Sequence, residues 1–194
     1  MNTAPPAVAT PADFDRSAAT LTLAFAADPA CRWAWPDAAQ YLDAFPEFVR
    51  AFGGRAFESD AAFLADDGAG VALWLPPGEA ADEEAIVALV ERTVPEAVRG
   101  PMFEILEQMD AHHPRGPHWH LPFLGVDPTR QGRGVGSALL ALVLARCDRD
   151  GLPAYLEATS PRNATLYARH GFEPVGEIRA GDSPPIVPMV RPPR

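Results

Sequence analysis

The sequence contains no lysine; its 16 basic residues are all arginine, scattered along the chain against 26 acidic ones, for a formal net charge of -10. Nucleic acid is excluded as an expected partner, because phosphate binding rests on clustered basic side chains. The same balance suits a cationic small molecule, although an acidic surface also serves solubility alone. Cysteine is almost as scarce: Cys31 and Cys147 stand far apart and outside any CxxC spacing, so no disulfide is expected. No apolar run approaches the roughly 18 residues that a membrane span needs. Residues 1–6 have neither the basic start nor the apolar core of a secretory leader, so a cytoplasmic protein is expected. A chain of 194 residues makes one compact domain over residues 1–194 the default, as monomer or homodimer.

Periodicity supplies the elements. A short strand is expected near residues 7–10. Phe14, Ala18, Leu21 and Phe25 recur at i, i+4, i+7 and i+11, a helical stripe that Asp28-Pro29 ends. A second helix is expected over residues 37–57, with Phe45, Phe48, Val49 and Phe52 on one face and Pro46 as a candidate kink. The stretch 28–36 between them reads as a loop carrying Asp28, Trp33 and Trp35. Strands at 61–65 and 70–75 flank the turn signal Asp66-Asp67-Gly68 and should pair antiparallel. Asp82 opens an acidic helix start, and Val98, Met102, Ile105 and Met109 form a further helical stripe behind Pro95. A strand at 118–126 ends at Asp127-Pro128; a helix opening at residue 131 closes at Asp150-Gly151. A strand at 154–159, a short helix at 163–170, strands at 172–178 and 186–190, and a frayed tail at 191–194 complete the chain.

The informative stretch is Gln131-Gly132-Arg133-Gly134-Val135-Gly136-Ser137. Three glycines at the start of a helix let the backbone turn sharply and approach a ligand, and first-turn amides have no intrahelical acceptors. Those free donors and the positive end of the helix dipole attract phosphate, and Arg130 and Arg133 would add charge-assisted bonds. A Walker loop is excluded by the missing Lys, and the dinucleotide fingerprint by alternating glycines at 132, 134 and 136. A tight loop with no ligand remains the plain alternative.

What fits is Gln/Arg-x-x-Gly-x-Gly/Ala, preceded by an apolar strand and followed by Leu156-Glu157, Asn163, Tyr167 and Gly171-Phe172. On these residues, across roughly 118–190, the chain resembles the GNAT superfamily of acyl-CoA N-acyltransferases. Residues 24–30, the strand 71–74 and the region from His113 to Tyr167 further resemble puromycin N-acetyltransferase and its relatives. The resemblance implies an α/β (α+β) fold: a mixed, mostly antiparallel sheet of six to seven strands, helices on both faces, and parallel strands 4 and 5 that splay apart. It implies an enzyme with acetyl-CoA as co-substrate and a small-molecule primary amine as acceptor, attacking the thioester directly in a ternary complex. Residues 5–117 would form the substrate side and 118–190 the acetyl-CoA side. A protein or peptide N-acetyltransferase and a non-catalytic acyl-CoA-binding module are the alternatives.

The resemblance implies cofactor contacts from Leu124 and Val126 on the splayed strand, from Gln131 to Ser137 in the loop, and from Tyr167 and Asn163. Tyr167 is the candidate acid beside the departing thiolate, or else an aromatic packed under the short helix. Asn163 is a helix N-cap or a pantetheine ligand; it stands four residues before the Tyr, where many family members place seven. Alternation puts Tyr155, Glu157 and Thr159 on one strand face, which makes Glu157 a candidate proton acceptor or a solvated carboxylate. His118 and His120 share a face of the neighbouring strand, and imidazole titrates in the useful range; His120 is a candidate base and His118 a candidate substrate contact. His112, His113, His118 and His120 hint at a metal, but no third ligand is evident and acyl transfer requires none, so no metal is expected. Asp28, Trp33, Trp35 and Tyr41 suit a pocket for a cationic or aromatic amine, or a hydrophobic brace between helices.

Overall fold

In a computed structural model, residues 5–194 are described; residues 1–4, part of the stretch read above for a leader, lie outside them. The elements follow as β1 (Ala7–Val8), α1 (Phe14–Phe25), α2 (Pro29–Ala34), α3 (Ala38–Gly53), β2 (Ala62–Ala65), β3 (Gly70–Leu75), α4 (Glu83–Thr93), α5 (Glu96–His112), β4 (Trp119–Val126), α6 (Val135–Asp150), β5 (Ala154–Ala158), α7 (Pro161–Arg169), β6 (Glu173–Pro174) and β7 (Val187–Arg191). They build a seven-stranded sheet of order β1-β2-β3-β4-β5-β7-β6, in which only β4 and β5 run parallel. No helix among the described residues is long and apolar enough to cross a membrane.

Glycines mark the two faces. A Cβ on Gly125 would strike Leu21 and Ala24, so α1 lies against one face of β4; a Cβ on Gly70 would strike Val135 and Leu139, so α6 covers the other. On the α1 face, Phe25, Phe45, Phe48 and Phe52 gather around Phe123, with ring centroids 5.6 to 6.0 Å from it. These edge-to-face contacts fix α1 and α3 on the sheet. Burying an aromatic side chain contributes about 1.5–3 kcal/mol, so this cluster anchors the face that carries the site.

Two features of β4 position the chemistry. Its register with β3 slips between Leu73↔Phe123 and Leu75↔His120, which leaves one extra residue on β4 and turns His120 to the same face as Phe123. Its pairing with β5 is confined to Trp119↔Ala154 and His120↔Tyr155. Beyond His120 the parallel strands separate, as the splay implied by the resemblance requires.

Several expectations need correction. Residues 28–36 are not an open loop: Asp28 caps α2, accepting from the amides of Ala30 (3.0 Å) and Cys31 (3.2 Å), with Pro29 as its first residue. Asp-Pro thus starts a helix here as well as following one. The strand expected at 172–178 shrinks to Glu173–Pro174 plus an isolated bridge between Ile178 and Ile186, because Pro174 cannot donate to a ladder and Gly176 weakens the run. The tail at 191–194 is not frayed: Arg191 lies in β7, 4% exposed, and grips Asp148 through two nitrogens at 2.7 and 2.9 Å. The amide of Arg194 also donates to Asp148. Pro46 does not break α3, which runs unbroken through it.

Candidate active site

The fork between β4 and β5 meets the first turn of α6. Gly132 (φ +74°) and Gly134 (φ +86°) adopt left-handed backbone, and a Cβ at either would meet nothing within 4 Å. Backbone conformation, not crowding, therefore demands glycine, and the space over the loop is open. The first bond of α6 runs from the Ala138 amide to the Gly134 carbonyl, so the amides of Val135, Gly136 and Ser137 have no helical acceptor. This is an anion cradle that fits a diphosphate. Of the expected flanking contacts, Arg130 is engaged with Asp66 at 3.3 Å, while Arg133 is exposed.

The remaining residues expected around the cofactor divide. Leu124 and Val126 lie on the reach of β4 that pairs with β3 but not with β5, and the Val126 carbonyl already accepts from the Gln131 side-chain amide at 3.0 Å. The Val135 side chain is buried against Gly70, so only its backbone faces the loop. The Ser137 hydroxyl stands 3.0 Å from His170 Nε2. Asn163 is not the cap of α7: that role falls to Ser160, whose hydroxyl accepts from the Asn163 amide. Tyr167 is buried in α7 beside Phe172, and burial together with the negative charge of Asp28 pushes its phenol well above the usual range.

On the α1 side of the fork, His120 and Glu157 meet. The pairing His120↔Tyr155 sets both strands in register, and alternation then turns Glu157 and Thr159 to the face His120 occupies. His120 Nε2 lies 3.0 Å from Glu157 Oε2, and the two side chains are 8% and 4% exposed. Burial pushes the Glu157 carboxyl up, but the His120 imidazole beside it outweighs that and holds the group below the ordinary carboxylate range. Its other oxygen, Oε1, is buried with no hydrogen-bond partner. His113 Nε2 faces that oxygen at 3.6 Å; burial, with His120 next, lowers this imidazole to about 4. The ring of Tyr155 packs in tilted contact against both His113 and His120, centroids 4.5 and 5.5 Å away.

Two adjoining cavities flank this cluster. One, of about 740 Å³, has His113, His118 and His120 at its inner end, apolar walls from Phe52, Ile86 and Phe103, and Glu79, Glu83, Glu107 and Asp110 around it. The other, of about 100 Å³, is lined by Phe25, Trp33, Trp35, Phe48, Phe52 and Phe123, with Glu157 and Thr159 as its polar side. Phe52, Ile86, Leu106 and Met109 belong to both linings.

The expected substrate pocket is thus gathered in part. Trp33 and Trp35 line the smaller cavity, each with its indole N–H tied, to Asp182 and to Thr93. His118 lines the larger. Tyr41 lines neither: it is buried in the core, its hydroxyl donating to the Thr22 carbonyl at 2.7 Å. Asp28 is spent on the α2 cap and on the Thr159 hydroxyl, and burial raises its carboxyl above the usual range. Sequence reasoning gives neither His113 nor Tyr155 a place at the site: Tyr155 is noted only as sharing a strand face with Glu157, and His113 only among the histidines that hint at a metal, because nothing local shows that the end of α5 brings it to Glu157.

A mixed sheet forked between two parallel strands, with a glycine-led helix at the fork and a buried carboxylate behind it, is the layout of an acyl-group transferase. The sequence model of the Acetyltransferase (GNAT) family matches residues 28–172, and the chain belongs to that family. An uncharacterized N-acetyltransferase of Schizosaccharomyces pombe is 24% identical over 204 residues, covering 93% of this chain and 80% of its own. A Corynebacterium glutamicum structure described as histone acetyltransferase HPA2 and related acetyltransferase is 32% identical, with 100% and 98% of the chains covered and a TM-score of 0.68. Arylalkylamine N-acetyltransferase 2 of Aedes aegypti shares the fold at 16% identity, covering 100% of both chains with a TM-score of 0.69.

Proposed function

We propose that this protein transfers the acetyl group of acetyl-CoA to the primary amine of a small molecule with an apolar or aromatic body, by direct attack in a ternary complex. The observation that carries the reading is the Glu157–His120 pair: a buried carboxylate with one free oxygen, at the strand fork, facing a cavity walled by aromatic rings. The arylalkylamine specificity named for the mosquito structure supports the same substrate class. The chain acts as one domain. Residues 118–190 cradle the co-substrate, and 5–117 supply most of the amine pocket.

Acetyl-CoA supplies the thioester. An amine entering the small cavity leaves water behind, which disfavours its ammonium form and yields the neutral nucleophile. Its nitrogen lone pair forms the N–C bond and the C–S bond breaks. The attacking nitrogen becomes strongly acidic as it bonds, so a carboxylate of low basicity suffices to take its proton; Glu157 Oε1 receives it, directly or through water. His120 holds Oε2 and so aims Oε1. Tyr167 donates toward the departing sulfur. A backbone N–H on the part of β4 that does not pair with β5 stabilises the negative charge growing on the carbonyl oxygen.

A screen of amines with acetyl-CoA and thiol detection tests the reading; arylalkylamines, diamines, puromycin and a lysine peptide belong in it. Apolar monoamines are expected to lead. Glu157→Gln should lower turnover by about 10²-fold or more while acetyl-CoA binding is unchanged. Thiol release with the lysine peptide alone, or full turnover of the variant, would overturn it.

A further inference from the structure

The tautomers around Glu157 are fixed from outside the sheet. His118 Nδ1 lies 2.8 Å from the Gly116 carbonyl, which can only accept, so the neutral form of His118 holds its proton there and leaves Nε2 bare. That nitrogen stands 3.1 Å from His113 Nδ1, which must therefore be the donor. The consequence is a bare lone pair on His113 Nε2, 3.6 Å from the carboxylate oxygen Oε1 of Glu157, itself buried and without a donor. Two acceptors facing each other at 3.6 Å repel. They call for a cation between them.

We infer that His113, His120 and Glu157 form a binding site for a divalent transition ion of the zinc class, and that an ion there occupies the position of the proton acceptor. One donor atom from each residue falls within 4.8 Å of the others. Ligands about 2.0–2.1 Å from a tetrahedral zinc are spaced about 3.3 Å apart; His113 Nε2 lies 3.6 Å from Glu157 Oε1 and His120 Nε2 3.0 Å from Oε2, on either side of that value. Small side-chain movements complete the set. His113 presents its bare Nε2 toward Glu157 as a ligand; His120 moves its Nε2 proton to Nδ1 on binding. His118 and Gly116 orient His113 as outer partners of metal-bound imidazoles do. Two neutral imidazoles and one carboxylate leave the ion one net positive charge, which the acidic residues around the larger cavity favour. That cavity, lined by His113 and His120, is the way in for the ion.

Binding of the ion does not depend on the proposed reaction; only the loss of activity rests on Glu157 as its proton acceptor. The full chain, stripped with chelator, is titrated with zinc by calorimetry in the absence of acetyl-CoA. One equivalent should bind at micromolar or lower concentration, cobalt(II) should give the visible absorption of a four- or five-coordinate ion, and magnesium should not bind. His113→Ala should weaken zinc at least 10-fold, and His112→Ala, outside the cluster, should leave it unchanged. Thermal unfolding of each variant separates loss of fold from loss of a ligand. With an accepted amine, zinc should abolish thiol release over the same titration, and chelator should restore it. No stoichiometric binding, equal affinity in a folded His113→Ala, or full turnover of zinc-loaded protein overturns the inference. An inactive protein that binds zinc at His113 would sink the proposed reaction and leave the metal site standing.

Discussion

At Tyr167 two requirements pull against each other. Burial and the nearby Asp28 charge keep the phenol protonated, so it is always able to donate. They also make it a reluctant acid: a thiol with a pKa near ~8.5 lies well below it, and complete proton transfer to the departing sulfur runs uphill. In the proposed reaction its contribution would then be a hydrogen bond to sulfur more than a delivered proton. Tyr167→Phe should lower kcat by roughly 10- to 100-fold, short of the largest general-acid effects, with the KM for acetyl-CoA nearly unchanged. Steady-state kinetics with the best amine decides this, and an unaltered kcat would remove Tyr167 from the reaction. Glu157, His120 and Tyr167 are legible in the sequence because strand alternation and the Gly-Phe after the short helix are local patterns. Tyr41 is misread for the opposite reason. Nothing in its neighbourhood distinguishes a tyrosine that lines a pocket from one whose hydroxyl bonds the Thr22 carbonyl across a helix pair.

The elements around the site are held by devices of uneven visibility. The hairpin of β2 and β3 and the Gly151 end of α6 are written in turn residues and form where expected, whereas α6 begins at Val135, four residues after the expected opening at 131, because Gly132 and Gly134 hold left-handed backbone ahead of it. The α2 cap is written too, in Asp28-Pro29, but those residues also follow α1, and one signal serves two elements. The β4 slip has no sequence mark beyond Pro122, yet it decides which face His120 presents. The C-terminal lock is invisible locally, since Asp148 and Arg191 lie 43 residues apart. Arg191 is almost fully buried and Asp148 accepts from both Arg191 and the Arg194 amide. Asp148→Asn removes the counter-charge of a buried guanidinium, but Asp148 itself is 30% exposed and screened, so the cost is about 1.5–3 kcal/mol. Chemical denaturation should register a loss of that order, and a loss under about 1 kcal/mol would mean the tail contributes nothing to stability.

Across the whole molecule, folding withholds protons from some groups and offers them to others, and the balance sets how stability responds to acid. His113 and His170 are both held below the ordinary imidazole value of 6.5, His113 to about 4, by burial first and then by neighbouring positive charge. Below pH 6.5 the unfolded chain takes up protons that the folded chain refuses, so stability is complete above that pH and drains away as pH falls toward 4. Asp28 opposes this, since its raised carboxyl binds a proton more readily folded than unfolded. Glu157, Asp127, Asp13 and Asp148 act later: lowered in the fold, their contribution is lost only as pH falls below the ordinary carboxylate range. The expected profile of Tm has two descending steps, the first from the histidines and starting near neutrality. In chelator-treated protein, His113→Gln should remove part of the first step and leave the second in place. A Tm that stays level from pH 7 down into the carboxylate range would mean that His113 is not held neutral, and the chain of tautomers from Gly116 to Glu157 would then have to be redrawn.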